Sequence, residues 1–317
     1  MSPVHHRLRG LGAAGLRLLR HGRPRRVLLF GPLSLGDDLL CTAVLREARL
    51  RRRPFAMMTN RPELFRGNPD PAAIIPIHDY YAALLRRLGS HVVQPYYLQS
   101  DPARPERELL PPRHILAEMC RLAGLRGPVT LRPYLYLTPE EKAQGARCPR
   151  QIAIHSTCLT AALPYPTKEW GVARLAAAAD DLRRDFNLVQ LGGAADPALP
   201  AALDLRGRTS LREAAAILAA SEAFVGLEGF LTHLARAVDC PAVVVLGGRA
   251  RPETFGYSCN VNLGSHVECS PCGLRDGCPH DLKCLTEILP ATVAAAVREL
   301  AARRPPRPLP AETARLP

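Results

Sequence analysis

The sequence has no apolar run that approaches the ~20 residues needed to cross a bilayer, which excludes a transmembrane protein. Its first 26 residues also lack the continuous apolar core and small-residue cleavage site of a signal peptide, so we expect a cytoplasmic protein. Aromatic residues are only 5% of the chain and do not alternate with basic residues, as they do on surfaces that stack bases. G-x-G-x-x-G is missing too, which disfavours a dinucleotide-dependent oxidoreductase.

Positive charge, by contrast, is abundant. The formal net charge of +13 predicts anionic partners, which could be nucleic acid, nucleotide phosphates or acidic lipid head groups. Residues 1–26 hold seven arginines, three histidines and no acid, with Leu8, Leu11, Leu18 and Leu19 at roughly helical spacing. This pattern predicts a short basic amphipathic helix, which either docks peripherally on the anionic inner face of the cell membrane or forms a solvated arm.

Short apolar runs alternate with helical patterns along most of the chain. Val27–Phe30 predicts a strand, a Gly/Pro/Ser loop follows, and a helix begins at about Asp37. The same alternation restarts at Gln151 after a polar, Pro- and Gly-containing stretch. We therefore predict an α/β protein with two tandem βα domains, each with a parallel sheet. The predicted divisions are a basic segment 1–26, domains 27–148 and 149–303, and a poorly ordered Pro-rich tail 304–317.

Four cysteines crowd into one segment near the C-terminus, CSPCGLRDGCPHDLKC. Cys269, Cys272, Cys278 and Cys284 have the spacing C-x2-C-x5-C-x5-C, which suits four thiolates around one tetrahedral metal ion. A structural metal is our first prediction, and a buried or disulfide-bonded cluster is the alternative. His266 and His280 lie nearby and could replace one thiolate.

Asp37 stands where the first strand hands over to the first helix, in SLGDDLL. In an open α/β sheet, ligands bind beyond the carboxyl ends of the strands, so a carboxylate here faces the cleft and could take a proton from an attacking hydroxyl. The alternative is that Asp37 caps the helix, and this capping role is the one that we assign to Asp38.

Two segments of the second half are candidates for binding a diphosphate. In the first, IHSTCLTAALPYPTKEW, the hydroxyls of Ser156 and Thr157 and the ammonium of Lys168 could form a cradle, although a solvated loop is the commoner explanation.

The second segment, VGLEGFLTHLARAVDC, predicts a strand, a turn and a helix with Glu228, Gly229, Thr232 and His233 near its start. Helix N-termini attract phosphate, Gly229 would let a nucleotide approach the backbone, and Glu228 could hold sugar hydroxyls. In the alternative interpretation, Glu228 caps the helix and His233 packs on its apolar face.

Taken in order, these segments resemble glycosyltransferase family 9, the ADP-heptose:lipopolysaccharide heptosyltransferases and their relatives. SLGDDLL fits the family's S-x-G-D loop at Ser34, Gly36 and Asp37, and Lys168 with Trp170 fits its K-x-W segment. DLRGRTSLRE is similar to the family's run before the donor-site turn. The following D/E-x-G-x-x-H signature is represented by residues 228–233, with Glu at its first position and Phe at its third.

The resemblance implies a GT-B fold, with two Rossmann-like domains facing a cleft, and an inverting transfer of heptose from an ADP-linked donor to an acceptor hydroxyl, such as that of a glycan or lipid-linked acceptor. Asp37 would be the general base, and Lys168 with the helix start at residues 228–233 would stabilise the leaving diphosphate without a catalytic divalent metal. In related protein heptosyltransferases the four-cysteine segment holds iron, so either zinc or iron is implied. The alternative function is a basic nucleic-acid-binding protein with a structural four-cysteine metal module.

Overall fold

The computed structural model describes residues 3–31, 35–199, 202–265, 267–303 and 305–317. Its first half contains α1 (Pro3–His21), β1 (Arg26–Leu29), α2 (Leu35–Leu50), β2 (Ala56–Met58), β3 (Ile74–Ile75), α3 (Asp79–Arg87), β4 (His91–Val93), β5 (Gln99–Asp101), β6 (Arg104–Leu109), α4 (Ile115–Leu122), β7 (Gly127–Thr130) and α5 (Pro139–Ala143). A short 3-10 helix, Pro62–Phe65, lies between β2 and β3.

The second half contains β8 (Gln151–Ile154), α6 (Val172–Leu182), β9 (Asn187–Gln190), β10 (Ala202–Asp204), α7 (Leu211–Ala220), β11 (Ala223–Leu227), α8 (Phe230–Ala237), β12 (Ala242–Val245), α9 (Pro252–Phe255), β13 (Val261–Leu263), α10 (Lys283–Thr286), α11 (Pro290–Arg303) and β14 (Thr313–Leu316). A second 3-10 helix, Pro166–Lys168, precedes α6. Helix and strand alternate as the sequence predicts.

The front sheet has four parallel strands in the order β3-β2-β1-β4. The apolar run of β1 places Val27, Leu28 and Leu29 in the interior, which is expected because parallel sheets are covered on both faces. The carboxyl ends of these strands point to one edge, and there the chain enters α2 after β1 and the segment Tyr96–Leu98 after β4.

Helix α1 is folded onto the front sheet. Ala14 is fully buried in an apolar cluster that includes Val27 and Tyr81, and Leu18 packs against the same cluster. The phenol of Tyr81 donates to the carbonyl of Gly22 at 2.7 Å. The predicted basic helix therefore exists, and a solvated arm is not what its described residues form.

The rear sheet has six parallel strands in the order β10-β9-β8-β11-β12-β13. The chain runs outward from β8 to β10, returns to the centre at β11 and continues to β13. This order is that of a dinucleotide-binding fold, whose ligands bind where the strand order reverses. The reversal here lies between β8 and β11, so the loops after these two strands define the expected ligand site.

The tail is the one region where the predicted disorder was wrong. Residues 313–316 form β14, which pairs antiparallel with β7 and so returns the chain from the rear domain to the front. Leu309 and Leu316 are buried, with 3% and 4% of their surface exposed. Proline content predicted disorder, but two buried leucines and a free strand edge provide the contacts that order the segment.

The two sheets share an apolar contact through α2 and α8. Their largest apolar cluster includes Leu39 and Leu40 of α2 and Leu231 and Leu234 of α8. At Gly36, in the first turn of α2, an added Cβ would approach the Cα of Phe230 to 3.8 Å. The first turns of the two helices therefore meet at the mouth of the gap between the domains.

Candidate active site

A cavity of about 590 Å³ lies between the front and rear sheets. The first turn of α2 and the segment after β4 line it from the front. The loops after β8 and β11 line it from the rear. These are the strand ends at which an open α/β sheet binds its ligands.

Asp37 lies in the first turn of α2 and lines the cleft. Its Oδ1 accepts a hydrogen bond from the phenol of Tyr97 at 2.7 Å. Burial and the neighbouring Asp37 charge raise the pKa of Tyr97 well above its ordinary value, so this phenol stays protonated and donates. The carboxylate is thus oriented by a neutral donor at the edge of the cleft.

Asp38 does not act as the helix cap that the sequence suggested. Its carboxylate is fully buried and accepts from the hydroxyl of Thr59 at 2.8 Å and from Nη1 of Arg61 at 3.2 Å. Burial raises the pKa of Asp38, and these two donors oppose the shift. The side chain reaches away from its own helix because Thr59 and Arg61 follow β2 at the same sheet edge. Arg61 lines the cleft.

Lys168 and Glu228 form an ion pair on the rear wall of the cleft. Burial alone would raise the pKa of Glu228, yet the charges of Lys168 and other neighbours hold it below its ordinary value, so the carboxyl is ionised. The Lys168 ammonium also lies 4.6 Å from the centroid of the Tyr165 ring. An ammonium has three protons to donate, so one carboxylate does not exhaust its capacity.

The start of α8 gives three different outcomes for three predicted residues. Gly229 lines the cleft, and nothing lies within 4 Å of the position that a Cβ would take. The Thr232 hydroxyl donates to the carbonyl of Leu227 at 2.9 Å and is therefore used within the protein. His233 lines the cleft and contacts the phenol of Tyr257 through Nδ1 at 2.7 Å. Burial lowers its pKa to about 4, so the imidazole is neutral near pH 7.

The predicted hydroxyl cradle is not assembled. Ser156 donates to the carbonyl of Pro197 at 2.7 Å, and Thr157 donates to Glu169 at 2.7 Å. Both residues are buried, and neither is among the residues that line the cleft. Their hydroxyls brace the loop after β8 because a buried hydroxyl must find a partner within the protein. Ser34 lies outside the described residues.

A second ion pair, which the sequence did not suggest, stands beside the first. Glu108 of β6 lines the cleft and pairs with Arg249 of the loop after β12. Its Oε1 accepts from the phenol of Tyr165 at 2.8 Å. The guanidinium carbon of Arg249 lies 4.7 Å from the centroid of the Tyr165 ring. Tyr165 thus has a lysine and an arginine against its ring, and each of these cations has its own carboxylate.

The four cysteines of the C-terminal segment line one small cavity of about 40 Å³, together with His280. All ten cysteines of the chain are free thiols, so the disulfide alternative is not what forms. Burial raises the pKa of Cys284, and the charges of the three other thiols act in the same direction. Within the described ranges, no group of three or more His, Cys, Asp or Glu residues has the arrangement of a metal site. His266 lies outside them.

Sequence reasoning missed Tyr97, Arg61, Tyr165, Glu108 and Arg249. The first two had a usable signal, because Tyr97 follows β4 and Arg61 follows β2 at the carboxyl edge of the front sheet. Glu108 had no usable signal, because it lies in a hairpin that contacts a distant part of the chain: its amide donates to the carbonyl of Gly273.

The chain resembles solved glycosyltransferases over nearly its whole length. Heptosyltransferase II of E. coli, an ADP-heptose lipopolysaccharide enzyme, is 17% identical, with a TM-score of 0.63 over 88% of this chain and 99% of that one. A family 9 glycosyltransferase of Veillonella parvula DSM 2008 is 14% identical, with a TM-score of 0.61 over 88% and 97%. The iron-containing dodecameric TibC of enterotoxigenic E. coli H10407 is 16% identical, with a TM-score of 0.66 over 89% and 77%. A further TibC structure contains ADP-D-β-D-heptose.

At these identities the structural likeness defines the fold, which is GT-B with two Rossmann-like domains. Residues 158–281 match the sequence profile of glycosyltransferase family 9 (heptosyltransferase), which confirms the family resemblance predicted from the sequence. The class of protein is accordingly a glycosyltransferase. Among curated protein sequences none matches this chain.

Proposed function

We propose that this glycosyltransferase moves a heptose from ADP-heptose to an acceptor hydroxyl with inversion at the anomeric carbon. The observation that carries the proposal is that Asp37 and the Lys168–Glu228 pair line the same cleft from opposite sheets. The family 9 match covers the donor-side segment, and TibC, which shares the fold, binds ADP-D-β-D-heptose.

In the proposed reaction, Asp37 accepts the proton of the acceptor hydroxyl as its oxygen forms a bond to the anomeric carbon. The bond from that carbon to the donor phosphate breaks, and the electron pair leaves with the diphosphate. Lys168 supplies a positive charge where negative charge grows, and the first turn of α8 adds its N-terminal dipole. Tyr97 keeps the Asp37 carboxylate aimed at the cleft.

Titration calorimetry with ADP, ADP-heptose, UDP and GDP tests the donor class, and release of ADP on addition of acceptor-containing extract tests turnover. We expect ADP-heptose to bind most tightly and ADP next. Binding of uridine or guanosine nucleotides in preference to ADP would contradict the donor assignment. Binding of ADP-heptose without release of ADP would support the donor assignment but contradict the proposed transfer reaction.

We also propose that Cys269, Cys272, Cys278 and Cys284 hold one structural zinc or iron ion. The support is that the four thiols share one cavity and form a donor set that both metals accept. A bound metal would cross-link the loop and would stabilise it. Elemental analysis should find about one metal ion per chain, and Cys272→Ser should release it, whereas Cys148→Ser should not. Wild-type protein without metal would contradict this proposal.

We further propose a peripheral contact with anionic membrane through α1. Leu16 and Leu19 are 69% and 85% exposed on this helix, and Arg20 and Arg23 are exposed beside them. No described helix is both long and apolar enough to cross a bilayer. The protein should sediment with vesicles that contain phosphatidylserine, and Leu19→Ser should reduce the bound fraction. Equal binding to neutral vesicles would contradict the charge-based contact.

No described feature favours the nucleic-acid-binding alternative.

A further inference from the structure

Four consecutive residues of the cysteine segment, Cys272 to Arg275, contact three separate parts of the chain at or directly behind the cleft wall. We call these residues the cysteine turn. The three parts are β6 from the front domain, the loop after β12, and the 3-10 helix Pro166–Lys168. Two of these parts carry a charged residue that lines the cleft, Glu108 on β6 and Lys168 on the 3-10 helix, and the third carries Arg249, the buried partner of Glu108.

The contact with β6 is an antiparallel pairing. The amide of Glu108 donates to the carbonyl of Gly273 at 2.9 Å, and the amide of Arg275 donates to the carbonyl of Glu106 at 3.1 Å. Arg107 and Leu274 form the bridge between these two bonds. A strand of the front domain is thus extended onto the rear domain, and this pairing brings the Glu108 carboxylate to the rear wall.

The contact with the loop after β12 fixes Arg249. The amide of Cys272 donates to the carbonyl of Gly248 at 3.2 Å, and that of Gly273 donates to the carbonyl of Arg249 at 3.1 Å. Arg249 is 1% exposed, and its Nε and Nη1 have no hydrogen-bond partner among the described residues. A buried guanidinium in this position depends on the Glu108 carboxylate for compensation of its charge.

The contact with the 3-10 helix lies one residue from Lys168. The buried hydroxyl of Thr167 donates to the carbonyl of Leu274 at 2.7 Å. Thr167 does not line the cleft, so this bond acts only on the position of its neighbour.

Gly273 is required at the centre of the turn for two reasons. Its φ of +65° is in the left-handed region, and an added Cβ would lie 2.5 Å from the carbonyl oxygen of Glu108. Gly277, in the same segment, has nearly the same φ of +61° but nothing within 4 Å of the added Cβ. Replacing either glycine by alanine therefore imposes similar backbone strain, and only the change at residue 273 displaces β6.

We propose that the cysteine turn is the positioning element of the donor wall, and that it sets the place of Lys168 toward the donor diphosphate and the places of Glu108 and its buried partner Arg249 beside it. This proposal rests on the proposed function for the identity of the ligand. Its structural part, the coupling of three loops through one turn, stands on the contacts alone. The cysteine segment is then more than a local staple, because its integrity controls affinity for the nucleotide.

The test compares Gly273→Ala with Gly277→Ala in the full chain. Amide hydrogen exchange followed by mass spectrometry measures the opening of residues 104–109, 165–168 and 246–250, and calorimetry with ADP measures affinity. We expect Gly273→Ala to speed exchange in all three segments and to weaken ADP binding about tenfold, the loss of one charge-assisted contact. Gly277→Ala should leave both readouts near those of the wild type.

Equal behaviour of the two variants, or faster exchange confined to residues 269–284 in Gly273→Ala, would overturn the proposal. If the wild type binds no ADP, the proposed donor fails, and the exchange pattern alone decides whether the turn couples the three loops. Should Gly273→Ala not fold, Thr167→Val removes the hydroxyl that contacts the carbonyls of Leu274 and Arg275, and Thr167→Ser restores it. Weaker ADP binding in the valine variant with recovery in the serine variant supports positioning, and equal affinities contradict it.

Discussion

The key charged groups of the front and rear walls, Asp37 and Lys168, have partners of different kinds. On the front wall the Asp37 carboxylate accepts a hydrogen bond from the neutral phenol of Tyr97. On the rear wall Lys168 is paired with the carboxylate of Glu228. Glu108, which also lines the cleft, is paired with Arg249 behind the wall, and both pairs are largely buried.

This contrast separates two chemical tasks. A general base must keep its negative charge available to an incoming proton, which a neutral donor permits. A wall that receives a diphosphate needs cations that are already in place, and carboxylate partners make their burial tolerable before the ligand arrives. Substitutions on one wall and acidification, which acts on both, test this separation.

Replacing the base should have the largest effect. Asp37→Asn keeps the shape and the hydrogen bond from Tyr97 but cannot take up the proton. Turnover of ADP-heptose, measured as ADP release with acceptor present, should fall about 10²- to 10⁴-fold. ADP affinity should change by less than about twofold, because the rear wall is intact. Near-normal turnover in this variant would eliminate Asp37 as the base.

Acidification should loosen both walls together. His114 caps α4 of the front domain, His233 belongs to α8 of the rear domain, and both contact Tyr257. Burial lowers the pKa of each histidine to about 4. In the unfolded chain the value is about 6.5, so the unfolded state binds more protons between these values and stability is lost as the pH falls through this window.

The expected loss in the free energy of unfolding is at most about 3 kcal/mol per histidine between pH 7 and pH 4. Urea unfolding at several pH values measures it. His114→Gln should make the pH dependence shallower, whereas replacement of the exposed His91 by Gln should leave it unchanged. A stability that is flat from pH 7 to pH 5 would show that these histidines are not held neutral.

Removing the rear-wall cation Lys168 should weaken ADP binding more than replacing the base Asp37 does. Lys168→Ala takes away a charged donor and should weaken ADP binding about 10- to 100-fold by calorimetry. It also leaves Glu228 buried without its partner, so affinity must be measured well below the melting temperature of the variant. Lys142→Ala, at an exposed position of α5, is the control. Unchanged ADP affinity in the Lys168 variant would remove its assigned role.

The smallest effect is expected from the phenol on the front wall. Tyr97→Phe removes the donor that orients Asp37 and should lower turnover about tenfold, the worth of one hydrogen bond to a charged group. ADP affinity should be unaffected. Tyr96→Phe removes a neighbouring phenol that donates to the carbonyl of Phe30 instead, and should cost less. Equal losses in the two variants would mean that the phenol orients nothing specific.

The elements that form locally could be predicted from the sequence. Apolar runs such as Val27–Phe30 and Ala242–Leu246 mark buried parallel strands, and the observed strands lie within one residue of them. The position of Asp37 at a strand-to-helix junction also placed it correctly at the cleft edge. Both predictions follow from periodicity and from the geometry of parallel sheets.

Features that depend on long-range contacts could not be predicted. The hydroxyls of Ser156 and Thr157 looked available in the sequence, but neighbouring acceptors in the fold consume them. Asp38 has the sequence position of a helix cap, but its carboxylate accepts from Thr59 and Arg61, which follow β2. Glu108 lies on a strand that pairs with the cysteine turn, a contact between segments far apart in the sequence that no local pattern predicts.

The central claim is that a base on the front wall faces a nucleotide-sugar held by the rear wall. A crystal structure of the Asp37→Asn variant with ADP-heptose tests it most directly. We expect the diphosphate within hydrogen-bond reach of the Lys168 ammonium and the anomeric carbon turned toward residue 37. A donor bound with its diphosphate away from Lys168, or with its sugar turned away from residue 37, would contradict the account.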